Sequence, residues 1–310
     1  AKHADALRAA AEVADRLLAR LGLSQPPLAP TSNVLQDRLQ RAQAAMLAND
    51  LESARDILVS DPDLERSEPE LRYRLAQLDF RAGRYVEADT SLTALLAGTP
   101  TTGSLFRARL LNSRGAVRIR LDNFGDAEKD FDAAVDVLRS GDHPEESGRA
   151  LMGRAVTRAV RHDFPDALAD FGQSRVQLEK AGDTLGIARV DSNLGGMEID
   201  RDRPEDAIGY LGSAAERFEF YGAINELFET LTSLFSARMT LLQPVAALAV
   251  SDRSWALRDR ATDPNQGLNL KLDRVDVFMA LGRYREAGSL LDSLPSDVSQ
   301  ANPFVARRLH

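Results

Sequence analysis

One pattern restricts this 310-residue chain more than any other: it restates a short sentence about every forty residues. Residues 123–138 read NFGDAEKDFDAAVDVL, 163–178 read DFPDALADFGQSRVQL, and 203–218 read RPEDAIGYLGSAAERF. A small residue anchors each unit: Ala54, Ala88, Ala127, Ala167, Ala207, Ala247 and Ala287, in steps of 34, 39, 40, 40, 40 and 40 residues. Four residues after the anchors stand Leu58, Leu92, Phe131, Phe171, Leu211, Ser251 and Leu291. Three residues before them stand Leu51, Tyr85, Phe124, Phe164, Pro204, Pro244 and Tyr284, each preceded by a short turn. Each unit therefore reads as a helix, a tight turn and a second helix whose Ala lets the two approach closely. One such hairpin cannot bury its apolar face alone, so a period of this length demands a solenoid of stacked hairpins. Pro204 and Pro244 open second helices, where the missing N–H would be unpaired anyway. Gly141, Gly182 and Gly222 fall near the ends of second helices, where a left-handed cap is expected.

These residues resemble the tetratricopeptide repeat. LDFRAGRYVEADTSLTALLAGTP (78–100) carries that family's G-x-Y-x-x-A-x-x-x-L and terminal Pro, and NLGGMEIDRDRPEDAIGYL (193–211) carries its Asn-Leu-Gly opening. The resemblance spans residues 36–294 and implies an all-α, right-handed superhelical solenoid of about seven helical hairpins. The chain departs from the family in three ways. The opening Trp is missing from every unit, the sixth unit (224–262) has Ser251 where a large apolar residue belongs, and the 40-residue period is longer than usual. An expanded period resembles the family members that bind signalling peptides and partner proteins. The implied function is a non-enzymatic module for protein–protein or peptide binding, and the Ala/Arg/Asp-rich composition looks like that of a high-GC bacterium.

Composition narrows the alternatives. Hydrophobic residues make up 44%, charged residues 28% and aromatics only 6%, which favours helix over strand in a soluble globular chain. A net charge of −8 argues against nucleic acid as partner, since counterion release needs a basic surface. With no cysteine, disulfides, thiolate metal sites and a Cys nucleophile are excluded. His3, His143, His162 and His310 are scattered, without a second ligand at metal spacing, and no phosphate loop, dinucleotide fingerprint or nucleophile elbow occurs. No cofactor, metal or catalytic residue is therefore expected. The most apolar run, LLQPVAALAV (241–250), is half the length of a membrane span and holds Gln and Pro. The chain opens with Ala and shows no signal peptide, and so reads as a fragment or processed form. Cytoplasm is the expected compartment, with the periplasm as the alternative.

Arginine recurs in two registers. Thirteen residues before the anchor stand Arg114 and Arg154, and three residues after it Asp130 and Asp170; in the next unit both places change together, to Leu194 and Tyr210. Such paired change predicts an Arg–Asp bridge between the two helices of a hairpin. Eighteen residues before the anchor stand Arg109, Arg149 and Arg189, with no acidic residue shifting alongside. Their neighbours one turn on include Asn112, Ser113, Gly153, Ser192 and Asn193, and two turns on Ala116, Val156 and Gly196. In the family the first helix of each hairpin lines the concave groove. The resemblance thus implies a groove with small or amide residues on its floor and cations along one side, with Arg109, Asn112, Arg149, Arg189 and Asn193 as the candidate ligand-binding set for an acidic protein or peptide segment. The alternative is a solvated strip of inter-repeat ion pairs.

The expected organisation is an N-terminal amphipathic helix (1–24), a Pro-rich linker (25–35), the array (36–298) and the start of a further or capping helix (299–310). The N-terminal helix and linker suggest a second reading, a sensor or regulatory domain of a larger bacterial signalling protein with a winged-helix regulator or kinase upstream. A third is a homodimer formed through residues 5–22.

Overall fold

The structure is a computed structural model that describes residues 30–47, 50–99, 105–260 and 264–294; the expected helix over 1–24 and the segment 299–310 lie outside these. Every regular element among the described residues is a helix. The chain divides into two compact units, the first ending at Ser91 and the second beginning at Leu92.

The first unit holds α1 (Pro30–Leu47), α2 (Leu51–Val59), α3 (Pro62–Ser67), α4 (Pro69–Arg81) and the first part of α5 (Tyr85–Ala97). Helix α1 starts inside the stretch expected as linker, because a proline is well placed as the first residue of a helix. Asp50 and Asp61 supply the caps: Asp50 Oδ1 accepts from the Ser53 amide at 3.0 Å, and Asp61 Oδ1 from the Leu64 amide at 3.1 Å. The short α3 follows from the Asp61-Pro62 start, a local signal that the repeat register does not contain. Ala42, Leu58 and Leu71 form one small core, and Met46, Ala54 and Leu78 another.

The second unit contains five hairpins among its described residues: α6 (Leu105–Arg120) with α7 (Phe124–Leu138), α8 (Pro144–Val160) with α9 (Phe164–Ala181), α10 (Thr184–Asp200) with α11 (Pro204–Tyr221), α12 (Ile224–Thr240) with α13 (Pro244–Ala256), and α14 (Pro264–Ala280) with α15 (Tyr284–Asp292). The anchors Ala127, Ala167, Ala207, Ala247 and Ala287 are all buried, with Phe131, Phe171 and Leu211 beside them. Glycines on the first helices receive these large side chains. A Cβ on Gly153 would meet the Phe131 ring at 2.3 Å, and one on Gly195 would meet Leu211 at 2.4 Å. Gly153 therefore makes room for the core rather than for a bound chain. Gly196, in contrast, faces open space. Successive first helices touch one another, α6 with α8, α8 with α10, α10 with α12 and α12 with α14, whereas among the described residues successive second helices approach less closely, α11 and α13 being joined by the Arg253–Glu219 ion pair at 2.7 Å.

Among the described residues, every first helix of this unit ends in the same cap. The amides of Asn123, Asp163, Arg203, Gln243 and Arg283 each donate to the carbonyl five residues back, at 2.8 or 2.9 Å. This bond requires a left-handed residue just before the donor. That residue is Asp122, His162, Asp202, Leu242 and Gly282 in turn, with φ of 56°, 63°, 57°, 54° and 72°. Asp202 is thus a turn residue, and Arg203 after it is the N-cap of α11. Gly182 and Gly222 do close second helices in the left-handed conformation, each at φ 68°. Gly141 does not: α7 ends with Arg139 in the right-handed region, and the His143 ring lies against Gly141 instead. In the sixth repeat Ser251 is buried, and its Oγ has no hydrogen-bond partner. Close by along the chain, the Arg274 guanidinium stacks 5.0 Å from the Trp255 ring centre and 5.2 Å from that of Phe278.

Candidate functional site

The arginines of the first register are tied inside their hairpins. Arg114 Nε and Nη2 donate to the two oxygens of Asp130 at 2.9 and 2.6 Å, and Arg118 Nη1 adds a third bond at 2.9 Å. One unit on, Arg154 Nε and Nη2 donate to Asp170 at 2.8 and 2.7 Å, with Arg158 Nη1 at 2.8 Å. Asp130 and Asp170 are buried, so each carboxylate depends on these cations. The bond to Asp170, joined by one to Asp132, holds Arg154 above its ordinary range despite partial burial.

The second register behaves differently. Arg109 Nε donates to Glu146 Oε1 at 3.1 Å, and Arg189 Nη2 donates to Glu226 Oε1 at 2.8 Å. Each acid lies 37 residues on, in the first turn of the next first helix. The expectation that no acidic residue accompanies these arginines is therefore corrected. The companion stands in the following unit, three places short of the repeat, because first helices pack side by side. Asn112 is drawn into the same contact: its amide donates to the Glu146 backbone carbonyl at 3.1 Å and to Oε2 at 3.4 Å. At the equivalent joint between α10 and α12, Ser192 and Thr230 hydroxyls meet at 2.9 Å.

Arg149 is the exception. Its counterpart acid would fall at Gly186, where a Cβ would collide with Asp183 at 2.6 Å and Leu178 at 2.9 Å. Asp183 is there to cap α10, accepting from the Gly186 amide at 2.8 Å. Arg149 is left with acids of its own first turn, Glu145 at 2.5 Å and Glu146 at 3.7 Å, and stays exposed. Asn193, on α10, makes no hydrogen bond among the described residues and is half-buried. On α12 the register place of the arginines is taken by Glu229. Surrounding protein raises the Glu229 carboxyl above the ordinary glutamate range; Arg120 pulls it down and Glu226 pushes it up. Its side chain is nonetheless open to solvent, so it is crowded rather than sealed. Arg120 stands at the end of α6.

His162 sits in its turn, edge-on to the Phe164 ring at 5.5 Å. Among the described residues no group of His, Asp and Glu could hold a metal ion, and no helix is long and apolar enough to cross a membrane.

Stacked hairpins with buried alanine anchors and recurring left-handed turns define a helical-repeat solenoid of the tetratricopeptide type. No family model matches the sequence, and no curated protein matches it. Solved structures do share the fold. One is a tetratricopeptide repeat protein from Parabacteroides merdae, with 15% identity over 86% of this chain and 96% of that one (TM-score 0.51). A Rap protein complexed with competence and sporulation factor aligns over 85% of this chain and 75% of its own, at 16% identity and TM-score 0.59. The apo form of the quorum sensor NprR from B. thuringiensis aligns over 94% of this chain and 93% of its own, at 12% identity and TM-score 0.54.

Proposed function

We propose that this chain is a non-enzymatic interaction module that holds an acidic protein or peptide segment along its first-helix face, with Arg149 as the central cation. The observation that carries this reading is the gap in the inter-repeat ladder: Arg109 and Arg189 are tied to Glu146 and Glu226, whereas Gly186 leaves Arg149 with local partners only. An exposed i,i+4 pair such as Arg149–Glu145 is worth about 0.3–0.5 kcal/mol, so a ligand carboxylate can displace it at little cost. The free amide of Asn193 and the open space beside Gly196 fit an extended backbone running past that cation. The contacts between successive first helices support placing them on the inner side of the curve. Fold neighbours include a Rap protein complexed with competence and sporulation factor and a quorum sensor, which adds to the case for peptide or protein recognition. It also leaves the regulatory domain of a larger signalling protein as the setting in which such a module would work.

The test is capture from a native lysate by wild type and by Arg149→Glu, after both show the same helical circular dichroism. Arg149 is the clean choice, because reversing Arg109 or Arg189 would also break joints between repeats. A partner held by wild type and lost by Arg149→Glu is expected. Equal recovery would place recognition elsewhere.

A further inference from the structure

The α10/α11 hairpin breaks the pattern of its neighbours away from the first-helix face. Where α6, α8 and α12 carry Leu111, Leu151 and Leu231, α10 carries Asp191, only 2% exposed. Where α6 and α8 carry Arg118 and Arg158, α10 carries Glu198, only 4% exposed. Where α7 and α9 carry Asp130 and Asp170, α11 carries Tyr210. The three changes surround one trough of about 620 Å³, bounded by Arg175 of α9, by Asp191 and Glu198 of α10, and by the α11 face from Asp206 to Arg217.

The trough has two electrically distinct ends. At one, Asp191 accepts from Arg175 and, at 2.5 Å, from Arg217. Two guanidiniums against one carboxylate leave that end net positive, and each guanidinium keeps further N–H groups free to donate. At the other, Glu198 Oε1 accepts from Arg201 at 2.7 Å, while Glu198 Oε2 is buried without a partner. Asp206, on the trough wall, makes no ion pair among the described residues. Two carboxylates against one guanidinium leave that end net negative. A buried carboxylate oxygen without a partner keeps its desolvation cost uncompensated, and a bound cation would offset it. Asp191 and Glu198 are seven residues apart on one helix, which sets the two ends about 10 Å from each other.

We propose that this trough binds a dipolar small molecule, with an ammonium or guanidinium on Glu198 and Asp206 and a carboxylate on Arg175 and Arg217. A short peptide of about three residues with free ends has this chemistry and length, as does an ω-amino acid of similar span. The site is separate from the first-helix face and does not depend on what binds there.

Isothermal titration calorimetry of the full chain would use glycine, aminohexanoic acid, aminooctanoic acid and trialanine, with N-acetyl-trialanine and trialanine amide as single-charge controls. The expected result is binding that grows with length from glycine onward, and at least a tenfold loss on removing either charge from trialanine. Glu198→Gln and Asp206→Asn should each weaken trialanine about tenfold, yet leave the already weak N-acetyl form unchanged. Asp206 is exposed, so that variant tests the site even if Glu198→Gln disturbs folding. Tighter binding of trialanine than of aminooctanoic acid assigns the site to peptides, and the reverse to ω-amino acids. No heat with any probe at millimolar concentration, equal binding of glycine, or insensitivity to both substitutions would overturn the proposal.

Discussion

Removing Asp170 should expose how far these repeats depend on buried charge. The carboxylate is 3% exposed and receives three guanidinium bonds at 2.7–2.8 Å, two from Arg154 and one from Arg158. Truncating one member of a buried pair costs about 3–5 kcal/mol, because the remaining charge is left buried and unpaired. Here Arg154 keeps Asp132 at 2.8 Å and Arg158 keeps Glu128 at 3.1 Å, which puts Asp170→Ala near the lower limit, about 3 kcal/mol. For a unit of this size each kcal/mol lowers Tm by about 2–4 °C, so the expected drop is roughly 6–12 °C. The chain also contains its own control. The next hairpin replaces the same pair with Leu194 and Tyr210, so Arg154→Leu combined with Asp170→Tyr should cost less than Asp170→Ala alone. Thermal circular dichroism would report the global loss. Because repeat arrays open segment by segment, hydrogen exchange at α8 and α9 amides would report the local one. A single variant within 1 kcal/mol of wild type, or a double variant worse than the single, would refute the reasoning.

Further outcomes follow from particular positions. Leu242 is held at φ 54° and is 87% exposed, at a place where the next hairpin uses Gly282; Leu242→Gly should stabilise by about 0.5–1 kcal/mol, raising Tm in a melting experiment. Gly153→Ala should destabilise by about 1–3 kcal/mol through collision with Phe131, whereas Gly196→Ala, facing open space in mid-helix, should stabilise by about 0.5–1 kcal/mol; urea titrations of the two variants should move in opposite directions. Glu229 has a raised pKa in the folded chain, so ionising it disfavours the fold at pH above the ordinary glutamate range. Glu229→Gln should therefore melt higher than wild type at pH 7, with the difference fading as pH falls through and below that range.

Much of the fold can be read in the sequence because the repeat compares the chain with itself. The Ala anchors and the partners Phe131, Phe171 and Leu211 lie in one register, and each side chain meets neighbours set by that register. Arg114–Asp130 and Arg154–Asp170 are legible for the same reason, since Leu194 and Tyr210 change in step. The partners of Arg109 and Arg189 are not, because Glu146 and Glu226 belong to the following unit and fall 37 residues on, outside a search confined to one hairpin. The left-handed turns escape notice because Asp122, His162, Asp202 and Leu242 fill a place where glycine is the usual signal. Gly141 misleads in the opposite direction, since its lack of a side chain accommodates His143 rather than a helix cap. The trough beside Glu198 leaves a mark in the sequence, the reversal of Arg118 and Arg158 to an acid, but burial of an unpartnered oxygen is visible only in three dimensions.

The most direct measurement is a charge swap across the first-helix face. An acidic segment captured by wild type would be synthesised in its native form and with its acids replaced by Lys, and both would be titrated against wild type and Arg149→Glu by fluorescence anisotropy. Recognition through Arg149 predicts that each single reversal weakens binding about tenfold or more and that the two reversals together restore much of it. Losses that simply add, with no recovery in the doubly reversed pair, would contradict a site centred on Arg149.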